Sequence, residues 1–246
     1  GLGFLLAAAM LAACGKDAAP DAQAPPAPPE VAAESAPEIT PDMTVPDSGV
    51  AAVALAKWTG DLDGMIQRRY IRVLTTYSRT HFFIDQGVQR GLVPDAFKLF
   101  EDDLNKRLKN KHLRVQVVFV PVAHDELVPA LLEGRGDIVA AGTLISDWRR
   151  EQVDFTNPTR TGVAVIPITG PGTTPLTGIA DLAGREIYQR DSTAPKRVVE
   201  RFNADLAKMG KPPARVRPAP AVLADEDILE MVAAGLVSLT LAEDYV

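Results

Sequence analysis

Apolar positions recur at two different periods along this chain, and the changes of period mark its elements. Residues 72–77 (Arg-Val-Leu-Thr-Thr-Tyr) read as a strand, the β-branched stretch 114–122 as a second, and 137–141 as a third. Between the first two, residues 94–109 place Phe97, Phe100, Leu104 and Leu108 on one stripe at helical spacing. A short helix is predicted over 61–69, and another over 125–133 that Gly134 stops. Helices alternating with short apolar strands predict an α/β fold, with mostly parallel sheets covered by helices.

The second half repeats the scheme. A strand is predicted over 162–169, and the cluster Gly170-Pro171-Gly172 breaks it. A turn feeds a strand over 181–188, and Asp191-Ser192-Thr193 opens a helix over 195–206. Residues 227–235 then echo residues 126–134: each is an apolar helix ended by glycine and followed by a buried strand, 237–242 in one case and 137–141 in the other. The echo fits two similar lobes, the first over 58–166 and the second over 167–246, with the crossing near 162–172.

The N-terminal 57 residues follow neither period. Leu2 to Ala13 is an uncharged apolar run that is too short to span a bilayer and has the length of a signal-peptide core. Leu11-Ala12-Ala13-Cys14 resembles the bacterial lipobox, in which small residues precede a cysteine that is lipidated and becomes the mature N-terminus. The resemblance implies a signal peptide over 1–14, whose start lies upstream of Gly1, and a membrane anchor at Cys14. Gly15 stands where enterobacterial sorting rules would place Asp to retain a lipoprotein at the inner membrane, which favours the outer membrane. Residues 15–57 alternate proline with Ala, Asp and Glu, so they read as a disordered, semi-rigid linker.

Composition narrows the chemistry. A net charge of −6 gives no reason to expect a nucleic-acid partner. One cysteine excludes an intrachain disulfide and a cysteine-based zinc site, and His81, His112 and His124 stand in no metal-ligand spacing. No nucleophile–base pair or phosphate-cradling loop is present, so no cofactor and no metal are predicted. Glu101, Asp102 and Asp103 are consecutive on a helix and cannot face one site as a glycosidase pair. His124 reads as a loop or cap residue. A binding module fits better than an enzyme within these residues.

Several stretches resemble the bacterial extracellular solute-binding proteins of family 3: residues 125–134 with Asp137, Arg149-Arg150 before Val153-Asp154-Phe155, Asp181-Leu182-Ala183-Gly184, and Asp191-Ser192-Thr193. The likeness is nearest to the N-terminal module of membrane-bound lytic transglycosylases of the F type, in Gly60-Asp61-Leu62-Asp63, residues 133–137 and 225–232. It implies a periplasmic binding protein-like type II fold, two α/β lobes around a cleft. The family's return crossing into the first lobe would lie past Val246, so the fold is expected to be truncated at the C-terminus. A lysozyme-like catalytic domain would lie beyond that point as well.

The resemblance also implies a site. Arg149 corresponds to a carboxylate-binding arginine, whose planar fork suits that partner. Thr143 is a hydroxyl near it, and Ser192 and Thr193 sit at a helix start that favours an anion. Glu243 corresponds to the acid that pairs with a ligand amino group, and Tyr77 and Phe82 to an aromatic wall. Leu144 stands where the family often has Thr, and Asp147-Trp148 where it often has Pro-Glu. The implied ligand is an amino acid, a peptide or a muropeptide, and the implied setting is the periplasm, near peptidoglycan. An importer's substrate-binding lipoprotein and a structural lipoprotein with a vestigial cleft are the competing readings.

Overall fold

A computed structural model of the chain describes residues 56–190 and 193–245, without the side chains of 193–195. The expected signal peptide, Cys14 and all of the expected linker up to residue 55 lie outside the described residues, as does Ser192.

The first lobe is built on strand β1 (Tyr70–Thr75). It pairs in parallel with β4 (Gln116–Pro121) on one side and β5 (Ile138–Val139) on the other. Residues 71–75 are all buried, because a central parallel strand is covered on both faces. Ile71 and Val73 face Met65 of α1 (Leu62–Arg68) and Val93 and Leu104 of α2 (Leu92–Arg107). Leu74 faces Leu127 and Ala130 at α3 (Leu127–Leu132), on the opposite side. The sheet thus divides two small cores.

The second lobe has two strand pairs. Strand β6 (Val165–Thr169) runs antiparallel to β9 (Leu239–Glu243), and β7 (Glu186–Arg190) runs parallel to β8 (Arg215–Ala219). Side chains join the pairs: Thr240 Oγ1 donates to the Tyr188 carbonyl at 2.7 Å, and the Leu241 N–H donates to Gln189 Oε1 at 3.2 Å. Helix α5 (Thr193–Lys208) covers one face through Val199 and Leu206. Helix α6 (Asp225–Ala233) covers the other through Ile228 and Val232.

Both lobes use one further device. Asn105 on α2 brackets the backbone of Val115, accepting from its N–H at 2.8 Å and donating to its carbonyl at 2.8 Å. Asn203 on α5 brackets Ala214 in the same way, at 2.8 and 3.0 Å. Each asparagine ties its helix to the residue just before the next strand. The kinship of the lobes therefore extends beyond the helix–glycine–strand echo.

The structure adds detail in three places. A hairpin of β2 (Phe83–Asp85) and β3 (Val88–Arg90) follows β1, turning through Gln86 and Gly87 at φ 49° and 81°. Such a two-residue turn needs positive φ at both central positions, and Gln-Gly is a weaker signal for it than Asn-Gly. The second lobe is less parallel than expected, since β6 pairs antiparallel with β9. Residues 165 and 166, assigned to the first lobe by pattern, pair with Glu243 and Ala242.

One buried ion pair organises the first lobe. Arg72 and Asp137 have side chains 0% and 1% exposed. Asp137 accepts from the Arg72 backbone N–H at 2.7 Å and from Nη2 at 2.9 Å, and it also accepts from Arg68. Arg72 further donates to the carbonyls of Ala56 and Trp58 at 2.5 and 3.0 Å, while Arg68 lies 3.8 Å over the Trp58 ring. Burial pushes the Asp137 carboxyl up, but the bonds from Arg72 and Arg68 outweigh it and hold the group below the usual carboxylate range. Removing one partner of a buried pair strands the other. Asp137→Ala is therefore expected to cost about 3–5 kcal/mol in urea unfolding at pH 7. The depressed carboxyl stabilises the fold above its unfolded value near ~4, and that contribution fades as pH falls through the lower folded value, so the gap between wild type and variant narrows in acid. A variant as stable as wild type at pH 7 would refute this role.

Candidate functional site

Three parallel strands of the first lobe and two of the second end at a common cleft. Tyr77, Ser78 and His81 follow β1, His124 and Glu126 follow β4, and Ala141 follows β5. From the second lobe, Arg190 ends β7, and the segment from Ala221 to Glu226 leads from β8 into α6. Carboxyl ends of parallel strands are where open α/β sheets bind ligands, because the chain turns there and leaves a crevice. The cavity holds about 320 Å³, at the lower end of the range for small-molecule sites. A smaller cavity of about 40 Å³ adjoins it, lined among others by Leu144, Gln189 and Glu243, and Asp225 lines both.

Arg149 sits on a short helix, α4 (Asp147–Arg150), and is 6% exposed. Its Nη1 donates to the Leu144 carbonyl at 2.8 Å, and its Nε is buried without a hydrogen-bond partner. The guanidinium lies 4.8 Å from the Trp148 ring, which also takes Arg197 at 5.2 Å. No carboxylate lies within ion-pair distance of Arg149 among the described residues. Burial lowers its pKa, opposed by the charge of Glu243. A buried cation with an unused donor has the chemistry of an anion anchor.

The other expected residues fall in different places. The Thr143 hydroxyl is buried and unpartnered. Glu243, at the end of β9, borders the smaller cavity, and burial pushes its carboxyl up, with Asp225 adding to the effect and Arg190 and Arg149 opposing it. Tyr77 is 57% exposed and lines the larger cavity. Phe82 is 1% exposed and lines neither cavity; its ring stands 5.6 Å from Tyr77 and 5.4 Å from Phe119, so it packs behind Tyr77 as core. Ser192 and the side chain of Thr193 lie outside the described residues.

Two residues at the cleft escaped the sequence reading. Arg190 is 6% exposed, and it donates to the Leu223 carbonyl at 2.8 Å and to Asp225 at 2.6 Å, which fixes the loop leading into α6. A signal existed: a charged residue ends the strand directly before Asp191-Ser192-Thr193. His124, read as a loop or cap residue, begins a 3-10 turn and lines the cavity. Its Nδ1 is buried and unpartnered. Burial, reinforced by the nearby positive charges of Arg190 and Arg149, pushes its pKa down to about 4. Among the described residues, no group of His, Cys, Asp and Glu could hold a metal ion.

The sequence profile of the bacterial extracellular solute-binding proteins, family 3, matches residues 71–235. The chain belongs to this family. Among solved structures, the family 3 chain is similar to an ancestral arginine-binding protein bound to arginine, with a TM-score of 0.55 and 23% identity over 73% of this chain and 72% of that one. It is also similar to the arginine-binding protein of T. maritima in its holo form, with a TM-score of 0.56 and 18% identity over 75% of this chain and 74% of the other. These likenesses show the two-lobed fold. A probable histidine-binding protein of Campylobacter jejuni is 37% identical over 59 residues, 24% of this chain and 23% of that protein. The family 3 chain thus spans about a quarter of the length of this curated relative.

The His124 geometry generates a pH signature. A histidine kept neutral by the fold loses stability as pH falls from the unfolded value near ~6.5 to the folded value of about 4. Across that window the wild type should lose up to about 3 kcal/mol, and His124→Gln should lack that share. Urea unfolding at pH 7, 5.5 and 4 checks this; identical profiles for the two proteins would remove His124 from the account.

Proposed function

We propose that the chain is a periplasmic solute-binding domain, lipid-anchored through Cys14 to the outer membrane. In this reading it is the ligand-sensing N-terminal module of a peptidoglycan lytic transglycosylase whose catalytic part follows Val246. The observation that carries the binding role is Arg149: a buried guanidinium with no acidic partner among the described residues, bonded to Leu144 beside the cleft between two lobes. A carboxylate supplied by the ligand would complete it. Both a free amino acid and a muropeptide carry one. The transglycosylase reading rests on the residues shared with that subgroup, and the tether would set the cleft in reach of peptidoglycan. The ligand would favour the closed form and so bias the attached enzyme.

The second reading is the substrate-binding lipoprotein of an amino-acid importer. The stretch shared with the probable histidine-binding protein of Campylobacter jejuni supports it, as does kinship of fold with arginine-binding proteins. Calorimetric titration with free L-amino acids and with soluble muropeptides separates the two. Muropeptide binding without amino-acid binding supports the sensor, and micromolar binding of a free amino acid supports the importer. In either case Arg149→Ala should weaken the bound ligand by about 2–5 kcal/mol, since it leaves a ligand carboxylate unpaired in a buried site. Unchanged affinity would exclude Arg149 as the anchor.

A further inference from the structure

The two lobes are joined across the mouth of the cleft by a set of direct charged and polar contacts between their residues. From the first lobe, the tight turn after β1 presents Ser78, Arg79 and Thr80. From the second, the first two turns of α6 present Glu226, Asp227 and Glu230. Arg79 forms a two-pronged bond to Glu230, Nη1 to Oε1 at 2.5 Å and Nη2 to Oε2 at 2.9 Å, and Nη2 reaches Asp227 at 3.3 Å. Glu226 Oε1 accepts from the Ser78 hydroxyl at 2.7 Å and from the Thr80 N–H at 3.2 Å. We propose that these residues form a clasp that holds the cleft closed before any ligand arrives, so that entry to the site requires the clasp to release.

Each half is ordered within its own lobe. In the turn, Ser78 and Phe82 exchange backbone hydrogen bonds at 2.9 and 3.2 Å, and Ser78 Oγ accepts from the N–H groups of Thr80 and His81, each at 3.1 Å. In the helix, Asp227 accepts from the Ala224 N–H at 2.9 Å and so caps the first turn. Groups already held in place lose little freedom when they meet, so a pair at the rim holds better than two mobile side chains would. The parts also differ in accessibility. Arg79 and Glu230 are 63% and 61% exposed and feel salt, while Glu226 lines the cavity itself. A ligand that draws Glu226 away from Ser78 would therefore disturb the clasp from inside, and ionic strength would loosen it from outside.

The clasp rests on the reading of the cleft as a ligand site only for its consequence; its existence is measured without ligand. In a Cys14→Ser background, Lys98 on α2 and Lys211 after α5 are replaced by cysteine and spin-labelled, and the distance between the lobes is measured on the full chain by double electron–electron resonance. The expected result at low salt is one dominant short distance. Arg79→Glu should raise the ratio of open to closed forms roughly fivefold or more, and about 1 M salt should shift the wild type the same way. Arg79→Lys should keep most of the closed form. Arg79 is exposed, so unchanged circular dichroism and melting are expected, and Glu226→Gln serves as a second variant that should also open the cleft. A wild-type distribution equal to that of Arg79→Glu, or one insensitive to salt, overturns the clasp. Failure of every tested ligand in calorimetry would instead count against the proposed function and leave the clasp standing.

Discussion

The Arg72–Asp137 pair sets where the cleft lies. Arg72 is on the central strand β1, and Asp137 opens the short edge strand β5; their bonds fix those two strands against each other in depth as well as in register. Strand β5 has only two residues in the ladder, too few to hold its place by backbone pairing alone. Arg72 also reaches back to the carbonyls of Ala56 and Trp58, so the segment that leads into the domain closes over the same pair. With β1 and β5 locked, the residues that follow them, Tyr77 and Ala141, emerge on one side of the cleft at fixed positions. Gly136 allows the approach, since a Cβ there would collide with the Leu74 side chain.

The site itself has an unusual electrical balance. Arg149 and Arg190 are both buried, yet among the described residues only Arg190 has a carboxylate in bonding distance. Burial first, and then the positive charges of Arg190 and Arg149, push the nearby His124 towards its neutral form. Glu243 is pushed towards its neutral form by burial and by Asp225. Arg149 lines neither cavity itself but bonds to Leu144, which lines the smaller one, so beside the cleft one cation has no carboxylate partner among the described residues, the condition under which an anionic group gains most by approaching.

Legibility in the sequence followed the physics of each feature. The α/β class and most elements of both lobes were visible, because buried strands and amphipathic helices impose periods on the apolar residues. Arg149 was visible through resemblance, and its burial supports that reading without testing it. The hairpin at 83–90 was missed because its turn uses Gln-Gly, and because Ile84 and Val88, at 54% and 50% exposure, bury no face that would impose a pattern. The pairing of β6 with β9 was missed because strand direction depends on the route of the chain, and local composition does not encode it. Phe82 shows the reverse limit: an aromatic after a strand reads equally well as wall or as core, and packing against Phe119 decides for core. Arg190 and His124 gain their character only from partners 33 or more residues away in the chain or from burial, neither of which a local pattern records.

The acidic start of α6 joins these threads. Asp225, Glu226 and Asp227 are consecutive, and a helix N-terminus favours negative charge there regardless of any further role. Consecutive residues on a helix point about 100° apart, so the three carboxylates must face different surroundings. Asp225 turns inward to Arg190, Glu226 takes the rim through Ser78 and Thr80, and Asp227 turns back to cap Ala224 while meeting Arg79. One turn of helix thereby serves the floor of the cleft, its mouth and its own termination. A shift of α6 by a fraction of a turn would disturb all three at once. The proposed clasp and the Arg190 contact therefore share one helix end, so whatever displaces one would act on the other without a chain of intermediates.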